Sequence, residues 1–268
     1  NGYQTLFSEV EPILAGADLV VGNLEGPITE YPSRSVGSEV GTLDNITFTF
    51  LPAVAEALQQ AGFDVVSLAN NHSNNFGVSG IGSTKKYLDA SSLQFFGDPY
   101  DETNASTLVQ VRDKQIALVG YSAWRENDIW RTQQHVMRRE LEGADIVIVY
   151  AHWGHEYEQT PRANERRIAH LFVDAGADLV VGAHPHVVQP KEQYKEAYIY
   201  YSLGNFVFDQ YWDEHVSCGL MLQVTVSSEE GDVELSELPV KIHRQGPTQQ
   251  NSCKFAIQIK KYEIYGKY

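Results

Sequence analysis

The eight residues AGADLVVG occupy positions 15–22 and recur unchanged at 175–182. The first copy runs on into NLEGP and the second into AHPHVVQP. Two related stretches, AGFDVVSLANNH at 61–72 and EGADIVIVYAHWG at 142–154, share the same plan: a small residue and Gly, then Asp, a β-branched apolar run, and a polar cluster. That plan reads as a helix end, a tight turn and a strand. Gly16, Gly62, Gly143 and Gly176 suit the left-handed position just after a helix. The apolar runs do not alternate with polar residues, as expected of strands covered on both faces. Asp18, Asp64, Asp145 and Asp178 then stand at strand starts as turn residues rather than ligands.

Helical spacing precedes the second and fourth of these strands, in LPAVAEALQQAG (51–62) and NERRIAHLFVDAG (164–176), and a further helix is expected near 80–90. Hairpins are expected in TLVQVRDKQIALVGYSA and in the Tyr-rich KEQYKEAYIYYSLGNFVF, and antiparallel strands in GLMLQVTVSSEEGDVELSELPVKI. The expected fold is an α/β core of two sheets flanked by helices. Residues 1–245 read as one domain. Residues 246–268 read as a linker followed by a strand-like tail.

The chain has 268 residues and a formal net charge of −15, with an isoelectric point near 4.9. So negative a surface repels nucleic acid and anionic lipid, and an anionic substrate needs bound cations where it docks. The two cysteines, Cys218 and Cys253, form no metal pattern and are compatible with one disulfide or two thiols. No apolar run approaches the length of a membrane span. The chain opens at Asn1 without Met, so the expectation is a fragment or processed product with signals or anchors upstream.

In an open α/β sheet, ligands bind beyond the carboxyl ends of the strands. The four related strands deliver there Asn23 and Glu25; Asn70, Asn71 and His72; His152 with His155 and Glu156; and His184 and His186. Imidazoles joined by a carboxylate and carboxamides suit divalent transition metals. In an extended segment the His184 and His186 rings would leave on opposite sides, so a turn at Pro185 or two neighbouring metals is needed to use both. Two metals about 3.5–4 Å apart activate water and clamp substrate oxygens. His135, His170 and His243 lack such context and read as structural.

GNLEGPI, LANNHSNNFG, AHWGHEY, GAHPHVVQP and YSLGNFVFDQ occur in this order over nearly the whole chain. In this the sequence resembles the CapA family of capsule and poly-γ-glutamate biosynthesis proteins, itself similar to calcineurin-like metallophosphoesterases. The resemblance implies a four-layer α/β/β/α sandwich of two mixed sheets with two divalent metal ions (Mn, Zn or Fe) at the strand ends. By similarity Glu25, Asn71, His152, His184 and His186 hold metal, and His72 stays off it as an acid near the leaving group. Asn23, Asn70, Glu156 and Asn205 then support the site or its substrate. Two departures stand out. The family's opening strand, which ends in Gly-Asp, has no counterpart before Asn23, and Asn75 stands where an Asp commonly succeeds the motif His.

The resemblance implies two functions. One is a metal-dependent hydrolase of phosphoester, or amide, bonds. The other is a non-catalytic accessory protein that holds an anionic polymer through its metals for synthesis or export. Either implies the cell surface, a membrane tether upstream of this chain, and other capsule-synthesis membrane proteins as partners.

Overall fold

The computed structural model describes residues 3–226, 233–243, 246–249 and 260–261. The first sheet is short and parallel, with order β1 (Val21–Asn23), β2 (Val65–Ser67), β3 (Gln94–Phe96). The four-residue α1 (Glu11–Leu14) precedes it, and its connections carry α2 (Ala53–Gln60) and α3 (Gly77–Ala90). The large sheet contains β4 (Ser106–Val111), β5 (Lys114–Ser122), β6 (Ile146–His152), β7 (Leu179–Ala183), β8 (Lys191–Tyr194) and β9 (Ala197–Tyr200). Its helices are α4 (Asp128–Leu141) and α5 (Ala163–Asp174). A third, antiparallel sheet is formed by β10 (Cys218–Val226), β11 (Val233–His243) and β12 (Gly246–Gln249). β13 (Lys260–Lys261) pairs in parallel with β8, giving the seven-stranded order β13-β8-β9-β7-β6-β5-β4. The rest of the 246–268 tail, with Cys253, lies outside the described residues. No described helix is long and apolar enough to cross a membrane.

The two octamers enter different sheets, the first as β1 and the second as β7. Their apolar runs are two-sided, as the sequence requires. Ala117, Val119, Val147, Val149 and Val180 face α4 and α5, where Val136, Ile168 and Phe172 complete one core. The alternate residues Ile116, Leu118 and Ile146 meet Val65 and Phe96 of the small sheet. Leu179 and Val181 meet Leu220 of β10. Val66 and Leu68 turn to the other side of the small sheet, against Leu14, Ala55 and Leu88 of its helices. The fold is therefore mixed α/β with its sheets packed inner face to inner face.

Two expectations change. The strands pair as three sheets, not two. The segment at Leu203–Gly204 makes single bridges to Val188 and Gly219, so β10 meets a loop and not a continuous ladder. Among the four turn glycines, Gly62, Gly143 and Gly176 have φ of +91°, +86° and +114°, whereas Gly16 is not left-handed. α1 is too short to end in that motif: Gly16 N–H donates to Ile13 O at 3.2 Å and the next N–H to Leu14 O at 3.1 Å, a tightening turn that needs no positive φ.

The strand-start aspartates have a structural task. Asp64 accepts the Val20 N–H, Asp145 the Gln115 N–H and Asp178 the Val147 N–H, each at 2.7 Å, tying one strand start to its neighbour. Asp18 precedes the outermost strand of the small sheet and instead pairs with Arg112 at 2.8 Å.

Candidate metal centre

The carboxyl ends of β1, β2, β6 and β7 converge across the two facing sheets. Asn23 ends β1, and its amide donates to Glu25 Oε2 at 3.1 Å. Asn70 is spent on architecture: its amide donates to Asn23 Oδ1 and Leu24 O, and its oxygen accepts from the His72 and Ser73 backbone N–H groups and the Ser73 hydroxyl. That turn presents Asn71, whose Oδ1 lies 2.9 Å from His152 Nε2.

His184 and His186 flank Pro185 with φ of +96° and +58°. Such backbone is costly for residues with a Cβ and gathers at functional sites. It resolves the alternation problem, because both rings turn to one place, their centroids 5.9 Å apart. Glu25 Oε1 stands 3.6 Å from His152 Nε2 and 3.8 Å from His186 Nε2. One ligand atom from each of Glu25, His152 and His184 falls within 4.8 Å of the others, and Glu156, His184 and His186 form a second such group. His184 belongs to both.

Asn205 sets the tautomer of His186. Its amide donates to the Val216 carbonyl at 2.9 Å and to Gln210 Oε1 at 3.1 Å, so its oxygen must face His186 Nδ1 at 2.8 Å. Nδ1 then carries the proton, and the Nε2 lone pair points toward Glu25.

Among the described residues, the buried side-chain polar atoms without a hydrogen-bond partner are Glu25 Oε1, His152 Nδ1 and His184 Nδ1. All three lie here, where an unsatisfied buried group calls for an explanation. Burial pushes the Glu25 carboxyl up, against the lowering pull of His186. Burial, then the neighbouring imidazoles, holds His152 well below the usual histidine range and His184 down at about 3. Neutral imidazoles around an uncompensated carboxylate are what a divalent cation satisfies, so the residues fit a metal ion.

His72 sits at the edge of this group. Its ring lies 4.6 Å from Phe48, and its Nδ1 is a long 3.4 Å from Asn75 Oδ1. Burial lowers its pKa. The Asn75 amide donates to the Ile46 and Phe48 carbonyls, which fixes its oxygen toward His72. Glu156 is exposed.

The sequence model of the bacterial capsule synthesis protein PGA_cap matches residues 1–210. The chain belongs to that family. The PGA biosynthesis protein CapA of Bacillus subtilis is 31% identical over 264 aligned residues, which cover 92% of this chain and 67% of that protein. The capsule biosynthesis protein CapA of Bacillus anthracis is 34% identical over 233 residues, covering 79% and 56%. The chain thus spans little more than half of the second relative. The sulfate thiohydrolase SoxB of Thermus thermophilus superposes with a TM-score of 0.53 at 16% identity, over 92% of this chain and 42% of that one. At that identity the likeness is one of fold.

Sequence reasoning missed Trp124. It stands just after β5, whose carboxyl end lies beside that of β6, and its ring is 4.4 Å from His184 and 5.6 Å from His152. The strand-end rule that selected the other clusters reaches it too. His135 and His170 are engaged elsewhere: His135 bonds to Ser106 and Glu102, and His170 to Glu192.

Proposed function

We propose that this chain is a metal-dependent hydrolase of capsule and poly-γ-glutamate biosynthesis, acting on a phosphoester or amide bond at the cell surface. The carrying observation is that two donor groups share His184 while the orphaned buried polar atoms lie in the same place. In this reading the facing sheets and their outer helices form the four-layer sandwich of the metallophosphoesterase type. Glu25, Asn71, His152, His184, His186 and Glu156 hold two divalent ions (Mn, Zn or Fe). When bound, such ions supply Lewis-acid activation of water and of the oxygens at the scissile bond.

The chain's own groups do the rest. Asn205 keeps the His186 Nε2 lone pair available, Asn70 fixes the loop that presents Asn71, and Asn23 orients Glu25. His72, within electrostatic reach of His152 and His184, gives its proton to the leaving group.

A second reading rests on His72 itself. Its Nδ1 faces the Asn75 amide and not a carboxylate, and burial disfavours its protonated form, so the proton it would donate is seldom in place. An accessory protein that holds an anionic polymer through its metals, beside membrane proteins of capsule synthesis, needs no such donor.

The test loads the full chain with Mn or Zn, measures bound metal, and assays phosphomonoester, phosphodiester and poly-γ-glutamate substrates beside His184→Ala. Turnover that disappears in the variant supports the hydrolase. Metal-dependent polymer binding without turnover supports the accessory reading, and a protein that binds no metal removes both.

A further inference from the structure

Aromatic side chains flank the donor groups on both sides. Trp124 leaves 51% of its surface in water although its ring meets His184 edge to face at 4.4 Å. On the other side His186 is flanked by Phe208 at 4.9 Å and Tyr157 at 6.2 Å, and Tyr157 meets Trp212 at 5.8 Å. Tyr157 and Trp212 are 45% and 65% exposed. Rings thus run in successive contact from Trp124 through His184, His186 and Tyr157 to Trp212.

The presentation of Tyr157 is enforced. Its backbone is left-handed, with φ of +66°. Its N–H donates to the Pro185 carbonyl at 2.8 Å, and its hydroxyl accepts from Gln210 Nε2 at 3.1 Å. A strained backbone and two hydrogen bonds hold a large ring half in water, where no apolar core is gained. Exposed apolar surface continuous with a polar cleft marks a binding surface.

The charge around the rings narrows the ligand. The segments 122–127, 153–158 and 205–215 carry Glu126, Glu156, Asp209, Asp213 and Glu214, and Glu158, which pairs with Arg162, against a single Arg or Lys, Arg125. Arg125 is already engaged, donating to the Asp98 carbonyl and standing 3.7 Å from Asp128. A polyanion laid along this rim meets like charge on both sides of the metal donors. A pyranose ring fits instead: its C–H face packs flat on an aromatic face, and its hydroxyls donate to carboxylates at the edge.

We propose that Trp124 on one side and Tyr157 with Trp212 on the other are subsites for a glycan whose sugars carry no negative charge, laid across the donor groups. The inference rests on the reading that those donors address a bond in a bound substrate, and it favours a hydrolase over a holder of anionic polymer.

The test is calorimetric titration of the full chain, metal-free and Mn-loaded, with a neutral N-acetylglucosamine hexamer, the amine-bearing glucosamine hexamer, and poly-γ-glutamate. At least one sugar oligomer binds, and the two hexamers tell a neutral ring from a cationic one. Trp212→Ala and Trp124→Ala each weaken that binding at least tenfold while bound Mn per chain stays unchanged. Trp212 is the more exposed ring, so its variant decides the matter if Trp124→Ala unsettles the donors. The proposal is overturned if neither hexamer binds, if Trp212→Ala binds as the parent does, or if poly-γ-glutamate binds through the same rings. Sugar binding to the metal-free chain reads the rim alone, so a failure of the hydrolase reading shows separately as absent metal or absent turnover.

Discussion

The two copies of AGADLVVG share every residue and little of their surroundings. The first becomes the three-residue β1 at the outer position of a small sheet; the second becomes the five-residue β7 in the middle of a seven-stranded one. Asp18 meets Arg112 in solvent, whereas Asp178 accepts a backbone N–H of the next strand. Gly22 approaches the Phe63 ring, whereas Gly182 lies against the Tyr201 carbonyl. Identical local sequence sets the strand, but the neighbours decide the turn before it, left-handed at Gly176 and not at Gly16, and what each residue is worth.

The largest expected difference lies in the polar residues just beyond each copy. His184 belongs to both donor groups and Glu25 to one. On the proposed two-ion reading, His184→Ala should therefore take bound metal from about two ions per chain to about none, and Glu25→Gln to about one, because metal binding needs its deprotonated ligands in place. Elemental analysis after dialysis reads both. Equal losses in the two variants would mean that the site is not built around a shared imidazole.

Next come the terminal glycines. A Cβ on Gly182 would stand 2.0 Å from the Tyr201 carbonyl oxygen, whereas one on Gly22 would stand 2.8 Å from a ring carbon of Phe63. Backbone cannot yield as a side chain can, so Gly182→Ala should cost about 3 kcal/mol or more and Gly22→Ala about 1 kcal/mol. Urea denaturation midpoints measure both.

The aspartates should differ less. Asp178→Ala strips the partner from the N–H of buried Val147 and should cost about 1–2 kcal/mol. Asp18→Ala removes only a surface pair and should stay within about 0.5 kcal/mol. A matching loss at Asp18 would show that the edge of the small sheet is braced more firmly than its exposure implies.

A pH-dependent effect belongs to the sheet of the second copy. Asp128 accepts the Ser122 N–H at the end of β5, and burial pushes its carboxyl up to about 6. A carboxyl raised in the folded state stabilises fully below its unfolded value, 3.8, and loses that contribution as pH rises through about 6. Asp128→Asn should therefore gain stability relative to the parent between about pH 4 and pH 7, monitored by thermal melting. A pH-independent difference would refute the burial argument.

Much of the fold and of the candidate site is legible in the residues themselves. The non-alternating runs imply two-sided strands, and Ile146 and Val147 bear this out by facing opposite layers. The polar clusters after those runs name Glu25, Asn71, His152, His184 and His186, which the fold brings together. Trp124 escapes notice in the sequence because a lone Trp after a hairpin strand carries no chemical signature. The three-sheet pairing and the ordinary turn at Gly16 are not legible, because neither is a property of the residues within the repeat.

Sequence alone determined the strands, their polar ends and the acidic charge, since periodicity, turn chemistry and composition are local or additive. Only the tertiary structure decided that the two copies lie in facing sheets, that His184 serves two donor groups, and that Asn205 fixes the His186 tautomer. Those facts depend on atoms far apart in the chain meeting within a few ångströms, and no spacing along a sequence encodes such a distance.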